Sequence, residues 1–173
     1  MKQNQATLQQ VLEAHKGIIY KVARSYCPDE QDRDDLVQEI IIQLWRSIAR
    51  YNPAYRLSTW VYRIALNTAI SHYRKAKVRQ EKQHILSQSP LPANSPQQDD
   101  EQEEQIGQLY AFIQQLRELD KALILLHLDG LSNPEVSEVL GISQSNVSTR
   151  LSRIRQELKK KFDTLNQEAN ARP

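Results

Sequence analysis

Residues 131–162, LSNPEVSEVLGISQSNVSTRLSRIRQELKKKF, decide the fold. They read as two helices joined by a tight turn. Ser132 and Glu135 have capping-box spacing, and Pro134 falls in the first helical turn, where its missing N–H costs little. Val136, Val139 and Leu140 make an apolar face at helical spacing. Gly141 stands where the chain must leave the helix, and glycine tolerates the left-handed conformation common at such an exit. Ser143 is placed to cap the next helix, in which Val147, Leu151, Ile154, Leu158 and Phe162 form one apolar stripe.

That stripe leaves Gln144, Ser145, Asn146, Ser148, Thr149, Arg150 and Arg153 mainly on other faces. The layout is that of a helix-turn-helix, whose second helix enters the major groove. An ordinary helical hairpin with a solvated basic face has the same apolar pattern. Two features favour nucleic acid. Small polar residues crowd the N-terminal end of the second helix, where base edges would lie. From Arg150 to Lys161 there are six basic residues and one acid, Glu157, a balance suited to phosphate contact.

The chain has 173 residues, enough for one ordinary domain or two small ones, and a formal net charge of only +2. That average conceals segregation. Residues 63–82 hold six Lys or Arg against one acid, and residues 89–104 hold five acids and no base. Two basic patches separated by an acidic stretch suit two contacts with one polyanion. The single cysteine, Cys27, excludes an internal disulfide framework and a multi-cysteine zinc site, and reads as a small residue near a helix end. The opening MKQNQATLQQ lacks the apolar segment of a signal peptide. The longest apolar run, around Ala122–Leu126, is far too short to cross a bilayer. The expectation is a cytoplasmic protein with no membrane insertion.

Helical signals dominate elsewhere. Leu8, Val11, Leu12, Ile18, Ile19 and Val22 mark a first helix, broken at Cys27-Pro28-Asp29. A second runs from about Gln31 to Ala49, with Leu36, Ile40, Ile41 and Leu44 as core candidates, and ends at Tyr51-Asn52-Pro53 because proline disfavours helix in the residue before it. A third begins near Ser58 and reaches about Lys77, with Trp60, Ile64 and Val61 as its core face. From 79 to 105 the pattern fails: Pro90, Pro92 and Pro96 interrupt it, and too little apolar surface is available to offset ordering entropy. Helix resumes at Ile106 with Leu109, Phe112, Ile113 and Leu116, and another spans about Asp120–His127 before the Asp129-Gly130 turn. The predicted fold is all-α, with two small helical domains, 1–78 and 106–173, joined by a flexible acidic linker over 79–105. The helix-turn-helix lies in the second.

Asp34-Asp35-Leu36-Val37-Gln38-Glu39, then Leu44-Trp45, then Ser58-Thr59-Trp60-Val61-Tyr62-Arg63-Ile64-Ala65-Leu66-Asn67-Thr68-Ala69-Ile70, followed by the helix-turn-helix, resembles an extracytoplasmic-function sigma factor of bacterial RNA polymerase. The resemblance covers both lobes, roughly residues 8–78 and 106–163. It implies that Asp35, Gln38 and Glu39 hold the positions that dock on the β′ coiled coil of core polymerase, where an acidic and amide face can pair with arginine. It implies a −10 surface built from the loop Tyr51–Leu57 and the helix after it. Asn67 would hydrogen-bond a flipped base, Tyr51 or Tyr55 would stack, and Tyr62, Arg63, Arg74, Lys75 and Lys77 would supply aromatic and phosphate contacts, joined by Tyr73. Gln144, Ser145, Asn146, Ser148, Thr149, Arg150 and Arg153 would read the −35 element, with Val147 and Leu151 in the core. Further implied partners are the β flap, promoter DNA and an anti-sigma factor. The acidic linker would thread toward the RNA exit path. Ser137 departs from the alanine of many relatives and is small enough for the same packing.

Other classes explain less. His15, His72, His84 and His127 show no zinc-ligand spacing, and four glycines supply no phosphate-binding loop, so no metal, cofactor or catalytic activity is expected. A free-standing helix-turn-helix regulator accounts for 131–162 and leaves the two N-terminal motifs unexplained. A pure interaction adaptor leaves both basic surfaces idle.

Overall fold

The computed structural model describes residues 2–84 and 101–170, with side chains over 8–79, 106–161 and 163. The described elements are all helical: α1 (Lys2–Tyr26), α2 (Glu30–Ser47), a 3-10 turn (Ile48–Arg50), α3 (Leu57–His84), α4 (Glu101–Gln115), α5 (Glu118–Leu128), α6 (Asn133–Leu140) and α7 (Gln144–Asn170). The chain divides into two compact units, Met1–Gln114 and Gln115–Pro173.

In the first unit α1, α2 and α3 pack against one another. The break between α1 and α2 falls where proline and aspartate predict it. Asp29 is extended (φ −69°, ψ 139°), and its carboxylate accepts from the N–H groups of Gln31 and Asp32 at 2.9 and 3.1 Å, satisfying donors that the first turn leaves unpaired. Arg33 reaches back to the Pro28 carbonyl at 2.8 Å. Leu36, Ile40 and Leu44 are wholly buried along one face of α2, each contributing roughly 1.5–3 kcal/mol by leaving water. Ile41 is only half-buried, and Val37 takes its place in the core.

The core face of α3 is Val61, Tyr62, Ala65, Leu66 and Ala69. Trp60 and Ile64, the bulkier candidates, sit half-buried at its edge. Ala65 and Ala69 on the inner face allow close helix approach, while Trp60 and Ile64 fall on the neighbouring register at the rim. The helix also runs past Lys77 to His84. Beyond Lys77 the apolar residue Val78 is exposed, and Arg79, Gln80, Glu81, Lys82 and Gln83 are good helix formers that continue the helix by propensity. The predicted linker is thus helical at both ends, over 79–84 and 101–105, and its middle lies outside the described residues. On α4, Ile113 is buried and Ile106 exposed. Arg24 of α1 stacks on the Tyr110 ring of α4 at 4.5 Å, which groups α4 with the first unit as far as Gln114.

In the second unit α5, α6 and α7 pack together around Ala122–Leu126, Val136, Val139, Val147, Leu151 and Ile154, all buried. The capping box forms: the Ser132 N–H donates to Glu135 Oε2 at 2.8 Å, and its hydroxyl donates to the same oxygen at 2.7 Å. Gly141 ends α6 at φ 67°, ψ 30°, the left-handed conformation that glycine adopts without a Cβ penalty. Ser137 does more than fit: its hydroxyl donates across the turn to the Ile142 carbonyl at 2.5 Å. Ser143 Oγ accepts from the Asn146 N–H at 3.3 Å, opening α7 as expected. Phe162 lies outside the described side chains.

Candidate nucleic-acid and partner interface

Three surfaces collect the residues singled out by sequence. On α2, Asp35 and Gln38 are exposed, and Glu39 is half-buried with Oε1 accepting from Gln43 Nε2 at 2.7 Å. The spacing 35, 38, 42, 45 keeps one helical face. On it Ile42 is 38% and Trp45 53% exposed. Large apolar side chains left in water beside a polar strip are a partner-surface signal. Exposure singles out Ile42 and Trp45 as contact candidates, which periodicity alone does not.

The second surface is the loop 51–56 with α3. Asn52 Oδ1 accepts from the Ala54 N–H at 3.0 Å and the Asn52 carbonyl from the Tyr55 N–H at 3.1 Å, so the Asn52-Pro53 pair folds a tight turn. The Tyr51 hydroxyl donates to the Tyr55 carbonyl at 2.8 Å, and its ring tilts against Trp60 at 5.2 Å. Tyr51 is therefore part of the scaffold, while Tyr55 projects, 51% exposed. Asn67, Arg74, Lys75 and Lys77 are exposed, and Arg63 is half-buried. Tyr62 departs from expectation. It is buried in the first unit's core, with a hydroxyl that has no hydrogen-bond partner among the described residues, and it does not share the exposed strip. Sequence reading misses this because a tyrosine at a core register looks the same as one at the rim.

An open groove of about 900 Å³ lies between α2 and α3. Asp32, Asp35 and Glu39 line one wall, and Asn67, Lys75 and Arg79 the other. The fold thus brings residues of the predicted docking strip and of the predicted −10 strip to the two sides of one cleft.

The third surface is α7. Gln144, Ser145, Asn146, Ser148, Thr149 and Arg153 are exposed, and Val147 and Leu151 are buried, as predicted. The hydroxyls are partly committed. Ser148 Oγ donates to the Gln144 carbonyl at 3.1 Å and accepts from Asn133 Nδ2 of α6 at 3.0 Å, while Thr149 Oγ1 donates to the Ser145 carbonyl at 2.9 Å. Arg150 is the least free of the set: it forms an ion pair with Asp120 of α5 at 2.9 Å. Arg155 Nη2 lies 2.6 Å from His127 Nε2, a second tie between α7 and α5. Among the described residues no cluster of metal ligands forms, and no helix is long and apolar enough to cross a membrane.

Two family models match the chain in order: Sigma-70 region 2 over residues 11–79, and Sigma-70, region 4 over residues 106–158. The chain is 29% identical over 169 residues to the RNA polymerase sigma factor CnrH of Cupriavidus metallidurans, covering 92% of this chain and 88% of that one. It is 30% identical over 132 residues to RNA polymerase sigma factor SigZ of Bacillus subtilis, covering 76% and 73%. The ECF RNA polymerase sigma factor SigW of the same species is 26% identical over 174 residues, covering 95% and 93%. In fold it resembles sigma factor RpoE of Bartonella quintana, solved with the anti-sigma factor NepR, at a TM-score of 0.71 and 21% identity over 94% of this chain and 98% of that one. By these matches the chain belongs to the extracytoplasmic-function branch of the sigma-70 family of RNA polymerase sigma factors.

Proposed function

We propose that this chain binds core RNA polymerase through α2 and directs it to promoters, reading the −10 element with the loop 51–56 and α3 and the −35 element with α7, and aiding strand opening at the −10 element. The observation that carries this reading is the presence, in one chain and in order, of matches to sigma regions 2 and 4. The first match overlies the α2 strip and the loop 51–56 with α3, and the second overlies the start of α7.

On α2 the docking residues are Asp35, Gln38 and Glu39, extended by Ile42 and Trp45. Carboxylate and amide groups supply directional contacts to arginine on a partner helix, and an exposed tryptophan supplies the desolvated anchor that dominates most interfaces. In the −10 surface, Asn67 offers a donor and an acceptor to a base edge, Tyr55 offers a stacking face, and Arg63, Arg74, Lys75 and Lys77 neutralise phosphate. The −35 surface is the exposed start of α7, with region 4 also meeting the β flap. Catalysis belongs to the polymerase, since the family consists of transcription factors. The setting is the cytoplasm, and an anti-sigma factor is the expected regulator, supported by the RpoE structure in complex with NepR.

Co-purification with cognate core polymerase tests this. Wild type is expected to co-elute stably, and a Gln38→Ala/Glu39→Ala double variant to co-elute weakly while remaining folded. A folded wild-type chain that fails to bind core would overturn the reading.

A further inference from the structure

We propose that Asp120 is a positioning residue that sets base preference in the −35 element, an inference resting on the assignment of α7 to that element. Asp120 lies in the first turn of α5, on a different helix from the residues expected to meet DNA. Its Oδ1 accepts from Arg150 Nη1 at 2.9 Å. Arg150 Nε in turn donates to Asn146 Oδ1 at 2.9 Å. A guanidinium has donors only, so the atom facing Nε must be the amide oxygen, and the Asn146 NH₂ is turned away from it. The side chain of Asp120 is 20% exposed and that of Arg150 33%, while Asn146 is exposed. A sheltered carboxylate on α5 thus holds a cation on α7, and that cation orients an exposed amide.

The orientation carries sequence information. Asparagine reads adenine with two bonds, its oxygen accepting from the N6 amino group and its NH₂ donating to N7. With that oxygen engaged by Arg150, Asn146 presents a donor instead. Arg150 has one donor of each of its two forks already engaged, which works against a bidentate grip on guanine through either fork. The pair as held is a cluster of outward donors. It matches base edges rich in acceptors, guanine N7 and O6 or thymine O4, in preference to the amino groups of adenine and cytosine. Removing Asp120 frees Arg150 to swing and lets the Asn146 amide turn over, opening the two-bond contact to adenine.

The test uses holoenzyme assembled from core polymerase and the full chain, transcribing a promoter library randomised across the −35 element. The position of interest is the base pair whose preference changes in Asn146→Ala. Wild type is expected to favour guanine or thymine there. Asp120→Ala is expected to shift that preference toward adenine by roughly tenfold, the scale of one bidentate contact. Asp120→Asn keeps an oxygen and loses the charge, so it shifts the same way by a smaller factor. Base pairs insensitive to Asn146→Ala stay unchanged.

A purely structural role for Asp120 would lower transcription from every library member alike. That uniform loss, or an unchanged preference in both Asp120 variants while Asn146→Ala alters it, overturns the proposal and leaves the −35 reading standing. If no α7 substitution alters any −35 preference, the −35 assignment itself fails and takes the proposal with it. Should Asp120→Ala fail to fold, Asp120→Asn with and without Asn146→Ala decides: the shift must vanish once Asn146 is gone.

Discussion

Tyr51 and Trp60 hold their rings 5.2 Å apart with a tilt of 57°, and so brace the loop 51–56 against the start of α3. The Tyr51 hydroxyl, bonded to the Tyr55 carbonyl, closes the same loop from inside. Trp60→Ala removes a half-buried aromatic and its ring pair, and is expected to cost about 1–2 kcal/mol of stability. It should also slow promoter opening, measured by the reactivity of unpaired thymines in the holoenzyme complex. Trp60→Phe should keep most of both. Normal opening by a folded Trp60→Ala variant would show that the brace has no role in melting.

The buried Tyr62 hydroxyl has lost water without gaining a partner among the described residues. Leaving a polar group so placed is unfavourable, and Tyr62→Phe deletes it with little change of shape. The expected outcome is a gain of about 1 kcal/mol, read as a higher denaturation midpoint, with transcription unchanged. Loss of activity at normal stability would return this hydroxyl to the promoter surface.

Leu36 and Trp45 share one helix and should behave oppositely. Leu36 is wholly buried, so Leu36→Ala is expected to cost about 2–5 kcal/mol. Trp45 is half in water, so Trp45→Ser should change stability little and weaken binding to core polymerase by about tenfold or more. Equal affinity in the Trp45 variant would remove the apolar end of α2 from the docking surface.

His15 on α1 has its pKa held below the ordinary 6.5 by burial, which penalises the charged ring. The unfolded chain therefore takes up this proton first as pH drops. The contribution of His15 to folding stability is constant above about 6.5 and becomes unfavourable below it, because the unfolded state binds this proton more readily there. His15→Gln should lose less stability on acidification than wild type, measured by denaturation midpoints either side of that value. Equal losses would assign the acid sensitivity to other groups.

Much of this was legible in the chain itself. Asp29, Pro28 and Asn52-Pro53 mark helix boundaries by local chemistry, and the Ser132–Glu135 box, Gly141 and Ser143 specify the helix-turn-helix within about a dozen residues. Such signals survive in sequence because each interaction spans only a few positions. The stripe Val147, Leu151 and Ile154 was likewise readable, since one helix face must be covered and these are its apolar residues.

What the chain alone determined, then, is helix content, the order of two sigma regions and most of the exposed polar residues on α2, α3 and α7, all products of local propensity and periodicity. The tertiary structure decided which of two adjacent registers on α3 faces inward, burying Tyr62 and the alanines and leaving Trp60 and Ile64 at the edge. It also decided that Arg150 answers to Asp120, 30 residues away, and that Asp35 and Asn67 line one groove. These are contacts between elements. Their energies depend on how helices approach, and no spacing rule along a single helix encodes that distance.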